Sequence, residues 1–144
     1  MSETAAETAI RDALLRHWKF AGIDEDQAGQ IYADDAILEF PQSGERFVGV
    51  DNFQTWRKQY PAKLGFGVRR ISHQGDLWVA ENLISYDGGP WMFAVSIMRF
   101  RGDKVAHERI YVMDGWEAPD WRAPWVERFD PLEAITPDDW RSGA

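Results

Sequence analysis

One carboxylate, Glu108, lies among apolar residues in a stretch that has the alternating pattern of a β-strand. Its neighbours in the same row are Ala106, Ile110 and Val112. A strand would turn this row to one face. Burial there would raise the pKa of the Glu108 carboxyl group and make it a usable general acid or base. The other interpretation is that Glu108 pairs with an arginine such as Arg99 or Arg109 and only stabilises the sheet.

Three other polar residues are candidates to act beside Glu108. Asn82 is the polar exception in an otherwise mostly apolar alternating row. Its amide could orient a substrate carbonyl or hold a water, and satisfying a buried backbone group is an equal alternative. Tyr32 could donate to a ligand oxygen, although packing beneath the second predicted helix is its favoured role. His17, on the first predicted helix, is a secondary acid/base candidate.

The walls of a substrate cavity would come from the helices and from the inward rows of the strands. The positions predicted to contact substrate are Trp18, Phe40, Trp56, Tyr60, Trp78, Ile84, Ser96, Met98, Ile110 and Val112. Because these side chains are mostly apolar, they favour a hydrophobic small molecule that carries oxygen atoms.

No metal and no cofactor are expected. The chain has no cysteine, and its three histidines, His17, His73 and His107, are far apart and lack the spacing of a helical metal site. No nucleophile elbow or glycine-rich phosphate loop is present.

The face of the sheet on which Glu108 lies depends on a β-hairpin over residues 94–114. The two arms of this hairpin flank a Gly-Asp pair. A two-residue turn at Gly102 and Asp103 would place His107 opposite Met98. A three-residue loop would place Glu108 opposite Ser96. We favour the second register because it keeps the more apolar row inside.

The elements that must position these residues begin with helices. Apolar residues recur at helical spacing over residues 5–21, and Gly22 ends that helix. Asp24 can cap a short second helix that runs to about Tyr32. A strand over 36–40 stops at Pro41, a polar loop covers 42–46, and Asp51 is a candidate N-cap for a helix over 53–60.

Strands follow over residues 68–73 and 76–86, and then the hairpin. Helices followed by a meander of long antiparallel strands are typical of an α+β domain with helices on one face of a curved sheet. We expect this domain to span 1–115. Residues 116–144 form a Trp- and Pro-rich arm that packs through Trp116, Trp121 and Trp125 on the same domain or on a dimer partner. The residues from about Thr136 are expected to be loose.

Composition excludes several classes of function. The 144 residues include 16 basic and 24 acidic side chains, a net charge of −8, which disfavours nucleic acid and anionic membranes as partners. No apolar run approaches the roughly 20 residues that span a bilayer. The first residues lack the pattern of a signal peptide, so a cytoplasmic location is expected.

Three segments in order resemble the nuclear transport factor 2-like superfamily, in particular its SnoaL-like branch, which includes polyketide cyclase-like and ketosteroid isomerase-like domains. They are residues 31–41 (Ile-Tyr-Ala-Asp-Asp-Ala-Ile-Leu-Glu-Phe-Pro), Gly49 before a helix, and residues 98–105 (Met-Arg-Phe-Arg-Gly-Asp-Lys-Val) before a long strand. The resemblance covers about 5–114. It implies a cystatin-like α+β barrel, in which a cone-shaped curved antiparallel sheet wraps around about three N-terminal helices and encloses a pocket. It also implies a homodimer, which Val105 and Tyr111 would support as apolar members of the outer row.

The chain departs from the family at the catalytic positions. Ketosteroid isomerases carry an aspartate where this chain has Phe40, a tyrosine near Leu15 and a second acid near Ser96. SnoaL-like cyclases carry an aspartate at the position of Ile110. The resemblance therefore supports the fold and the pocket, and argues against both mechanisms in their known form.

Two functions remain open. The first is cofactor-free acid/base catalysis of the isomerase, cyclase, dehydratase or epoxide hydrolase type, with Glu108 as the proton carrier. The second is a non-catalytic domain of the same fold that binds a small molecule or serves dimerisation. A second titratable group beside Glu108 would favour the enzyme, because catalysis usually needs both an acid and a base.

Overall fold

The structure, a computed structural model, describes residues 2–132. Three helices lie in the first part of the chain: α1 (Ala5–Phe20), α2 (Glu25–Ala28) and α3 (Val50–Lys58). A 3-10 turn, Gly29–Ile31, extends α2, and a second one, Asp120–Trp125, lies in the C-terminal arm. None of the helices in these residues is both long and apolar enough to cross a bilayer.

In the described residues, six strands form one curved sheet that does not close. They are β1 (Tyr32–Phe40), β2 (Glu45–Val48), β3 (Leu64–Gln74), β4 (Leu77–Tyr86), β5 (Met92–Arg101) and β6 (Lys104–Met113). Their order is β2-β1-β6-β5-β4-β3. β1 and β6 are parallel neighbours, and all the other pairs are antiparallel. The predicted α+β class, with about three N-terminal helices against a curved sheet, is confirmed.

Helix α1 begins and ends close to the predicted residues. Its first turn is closed by a capping box, in which Thr4 accepts from the Glu7 backbone nitrogen at 3.1 Å and Glu7 accepts from the Thr4 nitrogen at 2.8 Å. Leu14 and Trp18 on its inner face are buried. The chain turns away at Gly22, which has a φ of 83°.

The next two helices differ from the prediction at their ends. Asp24 caps α2 as expected, but the helix is shorter and Tyr32 is already the first residue of β1. Helix α3 begins at Val50, and its N-cap is Gly49 rather than Asp51. The Gly49 nitrogen donates to the Ala36 carbonyl at 2.8 Å, which ties the start of the helix to β1.

The polar loop predicted over 42–46 is in part a strand. Residues 45–48 pair with β1, Leu38 opposite Phe47, after a turn in which Gly44 has a φ of 74°. Because only four residues pair and all are at least partly exposed, the segment lacks the apolar alternation that would have shown it.

The hairpin of β5 and β6 has neither of the two predicted registers. Its turn has two residues, since Arg101 pairs with Lys104. Ala106 then forms a β-bulge: Phe100 pairs with Val105 and Arg99 with His107. The extra residue reverses the alternation on one side of the bulge. Glu108 therefore lies opposite Met98 rather than Ser96, but on the expected inner face, where it is 2 % exposed.

The bulge also overturns the placement of Val105. This residue was expected in the outer row, as part of an apolar dimer surface. It is fully buried in the core, with an exposed fraction of 0 %, because it precedes the bulge and shares the inner face with Phe100.

The C-terminal arm leaves its tryptophans exposed. Trp116, Trp121 and Trp125 are 82 %, 71 % and 76 % exposed, so the described part of the arm does not bury them on its own domain. Packing on a partner, the other predicted arrangement, stays a prediction. The expectation for the residues from about Thr136 lies outside the described part of the chain.

Candidate active site

A cavity of about 80 Å³ lies between the three helices and the inner face of the sheet. That space is several times what one water molecule needs. Most of the residues predicted to act or to contact substrate line it: His17, Trp18, Tyr32, Phe40, Trp56, Tyr60, Asn82, Ile84, Ser96, Glu108, Ile110 and Val112.

Two predicted wall residues lie elsewhere. Trp78 and Met98 are 1 % exposed and belong to the hydrophobic core rather than to the cavity wall. The reason is the position of α1, which covers this end of the sheet: the Arg11 guanidinium donates to the Ile71 carbonyl at 2.9 Å. Trp78 stacks on His73 with the ring centres 3.9 Å apart.

The polar centre of the cavity is a hydrogen bond between Tyr32 and Glu108. The Tyr32 hydroxyl donates to Glu108 Oε1 at 2.5 Å, and both side chains are buried. The two residues lie on the parallel neighbours β1 and β6, near the irregularity where Tyr32 pairs with Val105. Neither predicted arginine pairs with Glu108, since Arg99 binds Asp76 at 2.8 Å and Arg109 lies 3.7 Å from Glu39.

Burial sets the proton affinity of this pair. It raises the pKa of Glu108 above the ordinary 4.5, and hydrogen bonds from Tyr32 and Ser96 together with the Arg57 charge offset only part of the rise. The pKa of Tyr32 is raised well above 10, by burial first and then by the neighbouring Glu108 charge. Tyr32 therefore remains a neutral donor, while Glu108 is the group able to exchange a proton.

His17 is another titratable group that lines the cavity. Its Nδ1 lies 2.7 Å from the Ala28 carbonyl, to which it donates, so that in the neutral ring Nε2 is an acceptor. Burial lowers the pKa of His17 to about 4 despite this hydrogen bond, with the Arg57 charge acting in the same direction. The ring meets Tyr32 edge-on, with the centres 5.4 Å apart. His17 is thus neutral near pH 7 and packs against the Tyr32 ring.

Asn82 is satisfied within the protein. With its amide oriented so that both ends are bonded, the oxygen accepts from Trp18 Nε1 at 3.2 Å and the nitrogen donates to the Glu81 carbonyl at 3.2 Å. It holds the Trp18 indole against β4, which agrees with the structural interpretation of this residue.

Sequence reasoning missed Arg57. This residue lies in the last turn of α3 and lines the cavity with its side chain only 12 % exposed. Its position was available from the sequence, because Phe53 and Arg57 are four residues apart and so share a helix face with Trp56 and Tyr60. The aromatic residues of that face fit a core pattern, and the cation among them is easily overlooked.

Within residues 2–132, no three side chains of the His, Asp or Glu type gather where they could hold a metal ion. The three histidines have separate partners: His17 binds the Ala28 carbonyl, His73 lies 3.1 Å from Glu3, and His107 lies 2.5 Å from Glu39.

Three helices against a curved, open sheet of six strands define the nuclear transport factor 2-like class of domains. Within that class, the chain belongs to the SnoaL-like domain family, whose model matches residues 11–108. The resemblance carried by residues 31–41 and 98–105 is thereby confirmed.

Solved structures share the fold. An NTF-2-like protein of unknown function from Burkholderia xenovorans LB400 is 46 % identical, with 88 % of this chain and 100 % of that chain covered and a TM-score of 0.82. A candidate ketosteroid isomerase from Kribbella flavida is 19 % identical over 88 % and 94 % of the two chains, with a TM-score of 0.76. An LEH-like epoxide hydrolase from M. tuberculosis is 17 % identical over 73 % and 83 %, with a TM-score of 0.63. None of the curated proteins matches this chain.

Proposed function

We propose that this protein is an acid/base enzyme acting on a small, hydrophobic, oxygen-bearing molecule, with Glu108 as the proton carrier. The observation that carries the proposal is the 2.5 Å hydrogen bond from Tyr32 to Glu108 inside the cavity. This hydrogen bond fixes the position of a buried carboxyl group whose pKa is raised, and a general acid or base needs both a fixed position and a shifted pKa.

The roles follow from the protonation states. As a carboxylate, Glu108 accepts a proton from a substrate carbon or from a water; as the acid formed in that step, it returns the proton to the product. Tyr32 orients the carboxyl group through its hydrogen bond, and a carboxylate has further lone pairs for the substrate proton. Isomerisation, cyclisation, dehydration and epoxide hydrolysis all use such a transfer. The candidate isomerase and the epoxide hydrolase of the same fold support this range.

The test is the Glu108→Gln substitution, assayed on a panel made of a β,γ-unsaturated ketone, an aliphatic epoxide and a β-hydroxyketone. We expect wild type to turn over at least one of them and the variant to lose about 10²–10⁴-fold in rate, the usual contribution of a positioned acid/base group. Glu81→Gln is the control, because Glu81 is exposed on the neighbouring strand β4. A fully active Glu108→Gln variant would remove this residue from the mechanism.

A non-catalytic binding domain is the second candidate. The observation in its favour is that Asn82 and Glu108 already have partners within the protein, around a cavity of only about 80 Å³. This candidate predicts that Glu108→Gln leaves ligand affinity nearly unchanged and that no member of the panel is converted.

We also propose a homodimer in which the C-terminal arm packs on the partner. Support comes from the exposed Trp116, Trp121 and Trp125, since large apolar side chains grouped on a surface commonly mark an interface. Tyr111, on the outer row of β6 as expected, is the remaining member of the sheet surface predicted to take part.

A further inference from the structure

Arg57 brings a positive charge into a cavity whose walls are mainly aromatic. Its guanidinium carbon lies 5.7 to 5.8 Å from the ring centres of Phe53, Trp56, Tyr60 and Phe66. Rings at this distance stabilise the cation. The ring faces do not replace in-plane hydrogen-bond acceptors, and within residues 2–132 the Tyr60 hydroxyl accepts no hydrogen bond from Arg57. The five N–H groups therefore remain available to a partner.

The protein supplies almost none of those partners. Among the described residues, the acidic neighbour of Arg57 is Glu25, and the Nε to Oε2 distance is 3.9 Å, which is too long for a hydrogen bond. Glu25 is itself engaged, because its Oε1 accepts from the Gly22 nitrogen at 2.6 Å. No hydrogen bond links the Arg57 guanidinium to another group in residues 2–132.

Arg11 shows what a structural arginine of this chain looks like. It is also buried and lies 5.7 Å from the centre of an aromatic ring, that of Trp78. Its donors, however, are bonded to the Glu3 carboxylate at 2.7 to 3.0 Å and to the Ile71 carbonyl at 2.9 Å. Arg57 has the same aromatic surroundings without the acceptors, which leaves its in-plane donors for a ligand.

We propose that Arg57 recognises a carboxylate group on the substrate, so that the ligands of this cavity are small hydrophobic carboxylic acids. A planar guanidinium binds a carboxylate through two parallel hydrogen bonds, and the surrounding rings suit the apolar remainder of such a molecule. The Arg57 charge already acts on Glu108, Tyr32 and His17. Arg57 therefore anchors one end of the ligand while the Tyr32 and Glu108 pair meets the other.

This inference rests on the proposed function only in sharing its cavity, because binding needs no turnover. The probes are phenylacetate, cinnamate and cyclohexanecarboxylate, each compared with its neutral amide by titration calorimetry. We expect wild type to bind at least one carboxylate about tenfold or more tighter than the matched amide, a difference of about 1.4 kcal/mol.

Two substitutions at Arg57 and one elsewhere complete the design. Arg57→Met should abolish the preference for the carboxylate, and Arg57→Lys should keep part of it because the charge stays while the fork is lost. Arg99→Met is the matched control, since Arg99 is exposed and pairs with Asp76 on the surface. Near-ultraviolet circular dichroism checks that each variant keeps its packed aromatic residues.

The inference is overturned if wild type binds amides and carboxylates equally, if it binds none of the three carboxylates, or if Arg57→Met keeps the preference. Glu108→Gln separates this result from the proposed function. A variant that retains carboxylate binding but loses turnover supports both proposals. Turnover of neutral substrates that depends on Glu108, without any carboxylate preference, removes only the role of Arg57.

Discussion

At the scale of single residues, the interior of this protein holds ionisable groups that favour their uncharged forms. Glu108 and His17 are both buried, and burial shifts their pKa values in opposite directions, upward for the acid and downward for the imidazole. Near neutral pH, His17 is therefore uncharged, while ionising Glu108 works against folding. A site able to move protons thus has a cost in stability.

The Glu108→Gln substitution should reveal that cost. The folded pKa of Glu108 lies above 4.5, so its contribution to stability is fully present below 4.5 and is lost as the pH rises through the folded value. Glutamine cannot ionise. We therefore expect the variant to gain stability relative to wild type as the pH rises above 4.5, in urea unfolding at a series of pH values. A difference that does not change with pH would contradict the buried-acid description; Glu81→Gln is the control.

His17 should produce the opposite dependence. Its folded pKa is about 4 against 6.5 when exposed, so the stability it contributes is present above 6.5 and is lost as the pH falls towards 4. That lowering corresponds to roughly 3 kcal/mol. The amide of His17→Asn can still donate to the Ala28 carbonyl. As the pH falls from 6.5 to 4, we expect the unfolding free energy of this variant to fall less than that of wild type. Equal slopes in the two proteins would show that His17 is not the group responsible.

At the scale of elements, one residue in β6 decides which side chains meet. The turn at Gly102 and Asp103 is as short as a hairpin turn can be, and without a bulge it would have placed His107 opposite Met98. The bulge at Ala106 restores the inner position of Glu108, while Val105, before the bulge, keeps the core position opposite Phe100 that the two-residue turn gives it. A β-strand alternates with period two, so a single extra residue is enough to exchange its faces.

Two glycines of positive φ provide a matched test of how the elements are joined. Gly22, after α1, has a φ of 83°, and an added Cβ would lie 2.8 Å from the Leu64 carbonyl oxygen at the start of β3. Gly44, in the turn before β2, has a φ of 74° and nothing within 4 Å. We expect Gly44→Ala to cost about 1 kcal/mol for the backbone conformation alone.

Gly22→Ala should cost more than Gly44→Ala, because it adds a backbone clash to the same conformational penalty. The measurement is the free energy of unfolding in urea for both variants and wild type. Equal losses of unfolding free energy in the two variants would contradict this expectation. They would mean that α1 and β3 can move apart at this junction to relieve the clash.

At the scale of the whole molecule, the C-terminal arm has large apolar side chains that its own domain does not bury. Its tryptophans are exposed, and exposing large aromatic side chains to water is unfavourable. If the arm packs on a second copy, sedimentation velocity should show a dimer for wild type, and replacing Trp121 and Trp125 with serine should shift the protein towards the monomer. A wild-type monomer at micromolar concentration would contradict the dimer.

The sequence by itself determined most of the elements and four polar residues of the site, His17, Tyr32, Asn82 and Glu108. Helical spacing over 5–21, the cap at Asp24 and the alternating rows of the later strands depend on neighbours in the chain, and these were readable. So was Glu108, as the one carboxylate in its row. The short β2 was not, because its residues are partly or fully exposed and it depends on pairing with β1.

Only the tertiary structure decided which groups meet. Tyr32 and Glu108 are 76 residues apart, and their hydrogen bond exists because β1 and β6 pair in parallel. Arg57 was not singled out from the sequence, and Phe66, from β3, completes the group of aromatic side chains around it only in the folded chain. Burial, and with it every shifted pKa in the cavity, depends on how helices and sheet close over one another. Local pattern predicts the parts, whereas desolvation is a property of the assembled fold.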